Sequence, residues 1–150
     1  MESEPAPRPA PYGAAIVLLL VGAISVGYNG WDLSLLAGDV EIFDRAGLGW
    51  VASALLAIDG LLIASGLLQL GGGVGILLKR SKGRVLGLLG SLGIVLGWIA
   101  FLVVAVSGDL LAGVSVPAWV MLLVSVSGSV LGGGLLLVSS SPRGTAHALG

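Results

Sequence analysis

The stretch that decides the fold is WVASALLAIDGLLIASGLLQLGGGVGILLKRSKGRVLGLLGSLGIVLGWIAFLVVAV, residues 50–106. It contains two long apolar runs, Trp50–Leu78 and Val85–Val106, and the only ionisable residue inside either run is Asp59. Between the runs lie four basic residues within six positions. A helix needs ~20 apolar residues to cross the hydrocarbon core of a bilayer. The stretch therefore predicts two transmembrane helices joined by a short basic turn.

Two further apolar runs flank this hairpin. The first has no charged residue and carries aromatic residues near both ends, as membrane–water interfaces favour, so we place a span at about Tyr12–Tyr28. The last span covers about Pro117–Val138, and proline is tolerated in the first turn of a helix. The sequence thus predicts an all-α membrane protein: a four-helix transmembrane bundle, up-down-up-down, in residues 12–140.

An alternative exists for the first span. Arg8 is followed by the apolar segment Ala14–Ala23, and Ala23-Ile24-Ser25 matches the small-x-small pattern of a signal-peptide cleavage site. Cleavage there would leave three spans. A proline-rich leader with acidic residues is unusual for a secretory signal, so we favour a retained helix.

Three polar segments complete the chain. Residues 1–11 hold four prolines and predict a disordered tail, with a proline-rich docking ligand as the alternative. Residues 141–150 form a C-terminal tail. The connector Asn29–Gly49 is acidic but also rich in leucine, so we expect part of it to lie on the membrane surface as an amphipathic turn or short helix.

The composition excludes several classes of protein. The chain is 56% hydrophobic and 10% charged, whereas soluble domains are about 25% charged. A net charge of −1 gives no field that would attract nucleic acid. There is no cysteine, and the single His147 has no histidine partner. Asp39, Glu41 and Asp44 lack the glycine-punctuated loop of a calcium site, so we interpret them as a solvated acidic face. We expect no enzyme, no metal and no cofactor.

The distribution of basic residues predicts the orientation. With four spans, both tails and the middle connector share one side, which holds six of the seven basic residues: Arg8, Lys79, Arg80, Lys82, Arg84 and Arg143. Only Arg45 lies on the other side. Basic residues are retained in the cytoplasm during insertion, so we expect both termini to be cytoplasmic in a plasma-membrane protein. The four basic residues of the middle connector could also bind anionic lipid headgroups.

Glycine pairs four residues apart predict close helix packing. Such pairs are Gly71 and Gly75, Gly93 and Gly97, and Gly128 and Gly132. Small residues on one face let helix backbones approach closely in lipid. The partner helix could belong to this chain or to another copy or subunit, and the 26 glycines could also reflect a GC-rich genome.

Two polar residues inside the spans are candidates for function. Asp59 lies about 30 Å along the helix from Lys79, at the outer edge of the hydrocarbon. We expect an interfacial carboxylate that water reaches; the alternative is a desolvated carboxylate that handles protons or cations. Gln69 is central, about 15 Å from Lys79, and is expected to hydrogen-bond across helices to Ser91, Ser125, Ser127 or Ser129.

The basic turn with its glycine-rich flanks, here Leu78–Gly87 within residues 60–100, resembles that of the small four-span membrane proteins of high-GC bacteria to which no activity has been assigned. This resemblance implies no activity. Small multidrug transporters also have four short spans, but they carry an essential glutamate in the first, where this chain has no charge.

The sequence therefore favours a non-catalytic accessory or scaffold subunit that contacts the lipid bilayer and forms homo- or hetero-oligomers through glycine-rich helix faces. The alternative is a small oligomeric transporter or ion-coupled carrier that uses Asp59.

Overall fold

The structure, a computed structural model, describes residues 12–140. It contains four α-helices: α1 (Tyr12–Arg45), α2 (Gly49–Leu77), α3 (Lys82–Ser107) and α4 (Val116–Ser140), with a 3-10 turn at Leu111–Gly113. All four helices are long and apolar enough to cross a membrane. The predicted all-α transmembrane bundle is confirmed. Both tails, and with them His147, lie outside the described residues.

The four helices form a ring. Each helix packs on the next one along the chain, and α4 packs back on α1. Short turns join consecutive helices, so neighbours run antiparallel in the predicted up-down-up-down order. Large apolar side chains such as Leu20, Leu89 and Leu123 cover the outside of the ring, where they would contact lipid. We call the end with the α2–α3 turn the basic end and the opposite end the acidic end.

The first helix corrects the prediction for the acidic connector. α1 does not stop at Tyr28 but continues without a break to Arg45, giving a helix of about 50 Å. The reason is a stripe of half-buried apolar residues at helical spacing: Leu33, Leu36, Val40 and Phe43. Because this stripe packs inward, the segment extends the bundle instead of forming a separate element on the membrane surface.

Three helices end in the same way. In each case one residue adopts a left-handed conformation, and the residue after it donates a backbone hydrogen bond five positions back, as in a Schellman motif. The left-handed residues are Gly47 (φ 74°), Lys79 (φ 56°) and Asp109 (φ 53°), and the bonds are Leu48 N to Phe43 O, Arg80 N to Gly75 O and Leu110 N to Ala105 O, each 2.8 Å. The basic turn is shorter than expected, since α3 already begins at Lys82.

Glycine forms a seam between α2 and α3. A methyl group added at Gly75 would lie 2.8 Å from Cα of Gly83, and one at Gly90 would lie 2.6 Å from the carbonyl oxygen of Ser65. Gly72 faces Gly87 in the same way. The two backbones are therefore in direct contact, which only glycine permits.

The predicted glycine pairs are mostly packed within this chain. Gly93 and Gly97 face α2, and Gly128 and Gly132 face α1. Gly71 is the exception and corrects the prediction: it is exposed, and the nearest atom to a methyl group there would be Leu86 Cδ1 at 3.9 Å. The contacts of Gly83, Gly87 and Gly90 on α3 were not predicted, although their spacing of four and three residues places them on one helix face.

Candidate functional site

A polar layer crosses the middle of the bundle. Gln69 on α2 is fully buried, and its side-chain nitrogen donates hydrogen bonds to Ser91 Oγ on α3 at 3.1 Å and to Ser129 Oγ on α4 at 3.0 Å. Both serines are among the four partners expected from the sequence. Ser125 is buried as well. This layer therefore joins three helices by polar contacts.

A second polar link joins α1 to α2. Ser25 Oγ donates to the carbonyl oxygen of Leu62 at 3.2 Å, and Asn29 Nδ2 donates to the carbonyl oxygen of Ser25 at 2.7 Å. Asn29 is buried and lines a cavity between the helices. The link fixes the side of α1 that faces the cavity.

A cavity of about 330 Å³ opens between the helices towards the acidic end. The long α1 and the first half of α2 form one side, and the acidic ends of α3 and α4 form the other. Three carboxylates line it: Asp32 and Asp39 from α1 and Asp59 from α2. We call this space the acidic cavity.

Asp59 lies on the wall of this cavity without a hydrogen-bond partner for its Oδ2 atom. The sequence predicts a carboxylate that water reaches freely, whereas the side chain is only 6% exposed. Trp98 Nε1, on the same wall, is also buried without a partner. A buried carboxylate without a compensating group is costly. Asp59 Oδ2 could thus accept a hydrogen bond from a ligand, and Trp98 Nε1 could donate one.

Within residues 12–140, no basic residue compensates these carboxylates. Among the described residues, neither lysine nor arginine lines the acidic cavity. Arg45, which the sequence suggested as a partner for Asp59, instead pairs with Glu41 at 3.0 Å on the exposed surface of α1. The acidic cavity therefore holds an uncompensated negative potential.

Aromatic side chains form much of the remaining wall. Tyr28, Phe43, Trp98 and Phe101 all line the acidic cavity, and the rings of Trp98 and Phe101 meet edge to face with centroids 5.4 Å apart. Aromatic faces attract cations through the quadrupole of the ring. Carboxylates and aromatic faces together favour a positively charged ligand with apolar groups.

The acidic cavity continues sideways but not along the bundle axis. An adjoining space of about 290 Å³ shares Tyr28, Asp32 and Phe43 with it and reaches Ser115 before α4. Towards the Gln69 layer, an apolar cluster closes the way; it consists of Val21, Ile58, Leu62, Ile94 and Trp98. A second apolar cluster, built on Leu18 and Leu136, fills the bundle nearer the basic end.

The site does not have the composition of a metal centre. Within residues 12–140, no three histidine, cysteine, aspartate or glutamate side chains lie close enough together to hold an ion. Asp39, Glu41 and Asp44 are all exposed, and of these three only Asp39 lines the acidic cavity. Lys79, Arg80, Lys82 and Arg84 lie at the opposite end of the bundle, around the α2–α3 turn.

The α1 half of the cavity was not predicted from the sequence. Tyr28, Asp32, Asp39 and Phe43 share one face of α1, at intervals of four, seven and four residues. That spacing is visible in the sequence, but it becomes a signal only if the helix continues past Tyr28.

No protein-family model, curated protein or solved structure matches this chain.

Proposed function

We propose that this chain is a non-catalytic membrane protein that binds a small organic ammonium ion in the acidic cavity. The observation that carries the proposal is Asp59: its carboxylate is buried, one of its oxygens has no hydrogen-bond partner, and it faces a cavity of about 330 Å³. Ligand pockets begin at about 300 Å³, so the cavity suits a small molecule.

The charge of the ligand follows from the electrostatics of the cavity. Asp32 and Asp59 repel each other across the cavity, and a cation between them would offset both this repulsion and the cost of burying Asp59. Of the residues that the structure describes, no lysine or arginine lines the cavity. A cationic ligand would therefore supply a counter-charge to the carboxylates.

The organic nature of the ligand follows from the walls. Tyr28, Trp98 and Phe101 offer aromatic surfaces, which favour alkylammonium groups through cation–π attraction. A bare divalent ion would need six or more oxygen ligands. An ammonium ion with a hydroxyl group would in addition accept a hydrogen bond from Trp98 Nε1.

The predicted orientation determines on which side of the membrane the acidic cavity opens. The basic end is the cytoplasmic end by the positive-inside rule, which leaves both termini in the cytoplasm. The acidic cavity then opens to the outside of the plasma membrane. Ala14, Ala15 and Leu18 of α1 are buried in the bundle, which supports a retained first span over a cleaved signal.

Two alternatives remain as hypotheses. An accessory subunit was favoured because of its glycine faces, but five of the six predicted glycines pack inside this chain, so that interpretation loses its main support. A stable heteromeric partner in mild detergent would restore it. A carrier would need the apolar cluster of Val21, Leu62 and Ile94 to open, and uptake into proteoliposomes that depends on Asp59 would favour it.

Tryptophan fluorescence tests the binding proposal. Phenylalanine at positions 31, 50 and 119 leaves Trp98, in the cavity wall, as the single tryptophan. We expect choline to change its emission with saturation in detergent micelles. Asp59→Asn should weaken binding at least about tenfold, because the amide keeps the shape of the carboxylate but not its charge.

The matched control is Asp109→Asn, which removes a carboxylate that does not line the cavity and should leave choline binding unchanged. Dimethylbutanol, the neutral carbon isostere of choline, should bind much more weakly. Equal binding of the neutral isostere, or unchanged choline binding in Asp59→Asn, would contradict the proposal.

A further inference from the structure

A groove on the outer surface of the bundle lies between the end of α2 and the start of α3. Its volume is about 680 Å³, and its apolar walls come from Leu70, Val74, Leu78 and Leu86. Gly71 forms its floor, so no side chain fills the space there. Val74 and Leu78 are exposed on the lipid-facing side. The groove is thus open to the bilayer.

The mouth of the groove is basic. Arg80, Ser81 and Lys82 line it at the α2–α3 turn, and all three are exposed. No carboxylate lines the groove in the part of the chain that the structure describes. The acidic residues of the four helices lie towards the opposite end of the bundle. An apolar trough and a cluster of hydrogen-bond donors therefore meet where the hydrocarbon gives way to the headgroups.

We propose that this groove is a binding site for one anionic phospholipid. The phosphate accepts hydrogen bonds from Arg80 and Lys82, with the Ser81 hydroxyl as a further donor, and one acyl chain lies in the trough over Gly71. The occupant is a lipid and not a free phosphate because the apolar trough continues directly from the basic mouth. This site is independent of the acidic cavity, which lies at the other end of α2.

Gly71 makes the site testable without a change of charge. In Gly71→Leu the new side chain would fill the trough, while its Cβ would meet no atom closer than 3.9 Å, so the helices can pack as before. Gly60→Leu is the matched control on the same helix, since a Cβ there meets nothing within 4 Å and Gly60 does not line the groove.

The experiment is native mass spectrometry of the full chain, extracted from vesicles with equal amounts of dioleoylphosphatidylglycerol and dioleoylphosphatidylcholine. We expect one phosphatidylglycerol molecule to be retained in preference to phosphatidylcholine. Gly71→Leu should abolish retention, whereas Gly60→Leu should keep it. Arg80→Gln combined with Lys82→Gln should lower the preference about thirtyfold, which corresponds to about fivefold for each charge. Arg45→Gln, at the acidic end, should leave it unchanged.

Three results would overturn the inference. Equal retention of the two lipids would show that the basic mouth does not select the headgroup. Displacement of phosphatidylglycerol by millimolar inorganic phosphate would show a free-anion site without a role for the trough. A dimer that Gly71→Leu dissociates, with no lipid retained by the wild type, would show that a second copy of the chain occupies the groove.

Discussion

Gln69 and Ser129 are sixty positions apart in the chain, yet the Gln69 side-chain nitrogen donates to the Ser129 hydroxyl at 3.0 Å in the middle of the bundle. The same nitrogen also donates to Ser91. One amide group therefore links α2 to both α3 and α4. In a bilayer, where apolar side chains pack as well on lipid as on each other, such polar contacts specify which helices associate.

Gln69→Leu should lower the free energy of unfolding by about 1 kcal/mol, because both interhelical hydrogen bonds are lost. Reversible unfolding in bicelles measures the change. Ser53→Ala is the control, since Ser53 is exposed and bonds only to Gly49 O within its own helix. A Gln69→Leu variant as stable as the wild type would show that the bonds merely satisfy polar groups.

Gly90→Ala should destabilise the bundle by about 1–3 kcal/mol, because the added methyl group would lie 2.6 Å from Ser65 O and 2.7 Å from Gln69 N, both backbone atoms. Gly60→Ala has open space around it and should be neutral or stabilising by up to about 1 kcal/mol. The same unfolding assay compares the two. Equal effects would mean that the backbones of α2 and α3 are farther apart at Gly90 than these distances indicate.

Asp59→Leu should raise the free energy of unfolding by about 1–3 kcal/mol while it abolishes choline binding. A buried polar group without a partner destabilises a fold, and an apolar side chain of similar volume removes that cost. Gain of stability with loss of binding is typical of a functional residue. If stability falls instead, Asp59 supports the fold, and the proposed binding role loses its basis.

Asp109→Gly should stabilise the protein by about 0.5–1 kcal/mol, since Asp109 adopts φ 53° and glycine reaches this region without steric cost. Asp109→Ala, at the same position, should be destabilising because alanine keeps the Cβ but lacks the short polar side chain that makes the left-handed conformation more accessible to aspartate. Thermal unfolding of the two variants should therefore give shifts of opposite sign. Shifts of the same sign would argue against the turn conformation.

Reporter fusions test the orientation. A reporter at Ser81 and one at the C-terminus should both be cytoplasmic, whereas one within residues 39–45 should lie outside, because six of the seven basic residues fall on one side. An external reporter at Ser81 would invert the topology and place the acidic cavity in the cytoplasm.

The four helices could be predicted from the sequence because the length of an apolar run indicates directly whether it can cross a membrane. Trp50–Leu78 and Val85–Val106 match α2 and α3 within a few residues. The hydrogen-bond partners of Gln69 could also be predicted, since few other polar residues lie at its depth in the bundle. α1 was predicted too short because acidic residues normally mark the end of a span, whereas here Asp32 and Asp39 face a cavity within a longer helix.

The acidic cavity itself could not be predicted from the sequence. Its walls combine Asp32 from α1, Asp59 from α2 and Trp98 from α3, and no local pattern reports which helix faces meet. The burial of Asp59 has the same origin: a count of residues gives its distance along α2 from Lys79, but its enclosure depends on the extra length of α1. Gly71 was assigned to packing because spacing alone does not say which face of a helix meets lipid.

The glycine seam between α2 and α3 has a thermodynamic consequence. Gly72, Gly75, Gly83 and Gly87 have no side chain to immobilise, so this part of the α2–α3 contact costs almost no rotamer entropy, whereas a leucine-lined contact restricts χ angles on both sides. Association of α2 with α3 after insertion should therefore lose less side-chain entropy than a contact lined by large side chains. We expect α2 and α3 to associate first and to form the surface on which α1 and α4 then pack.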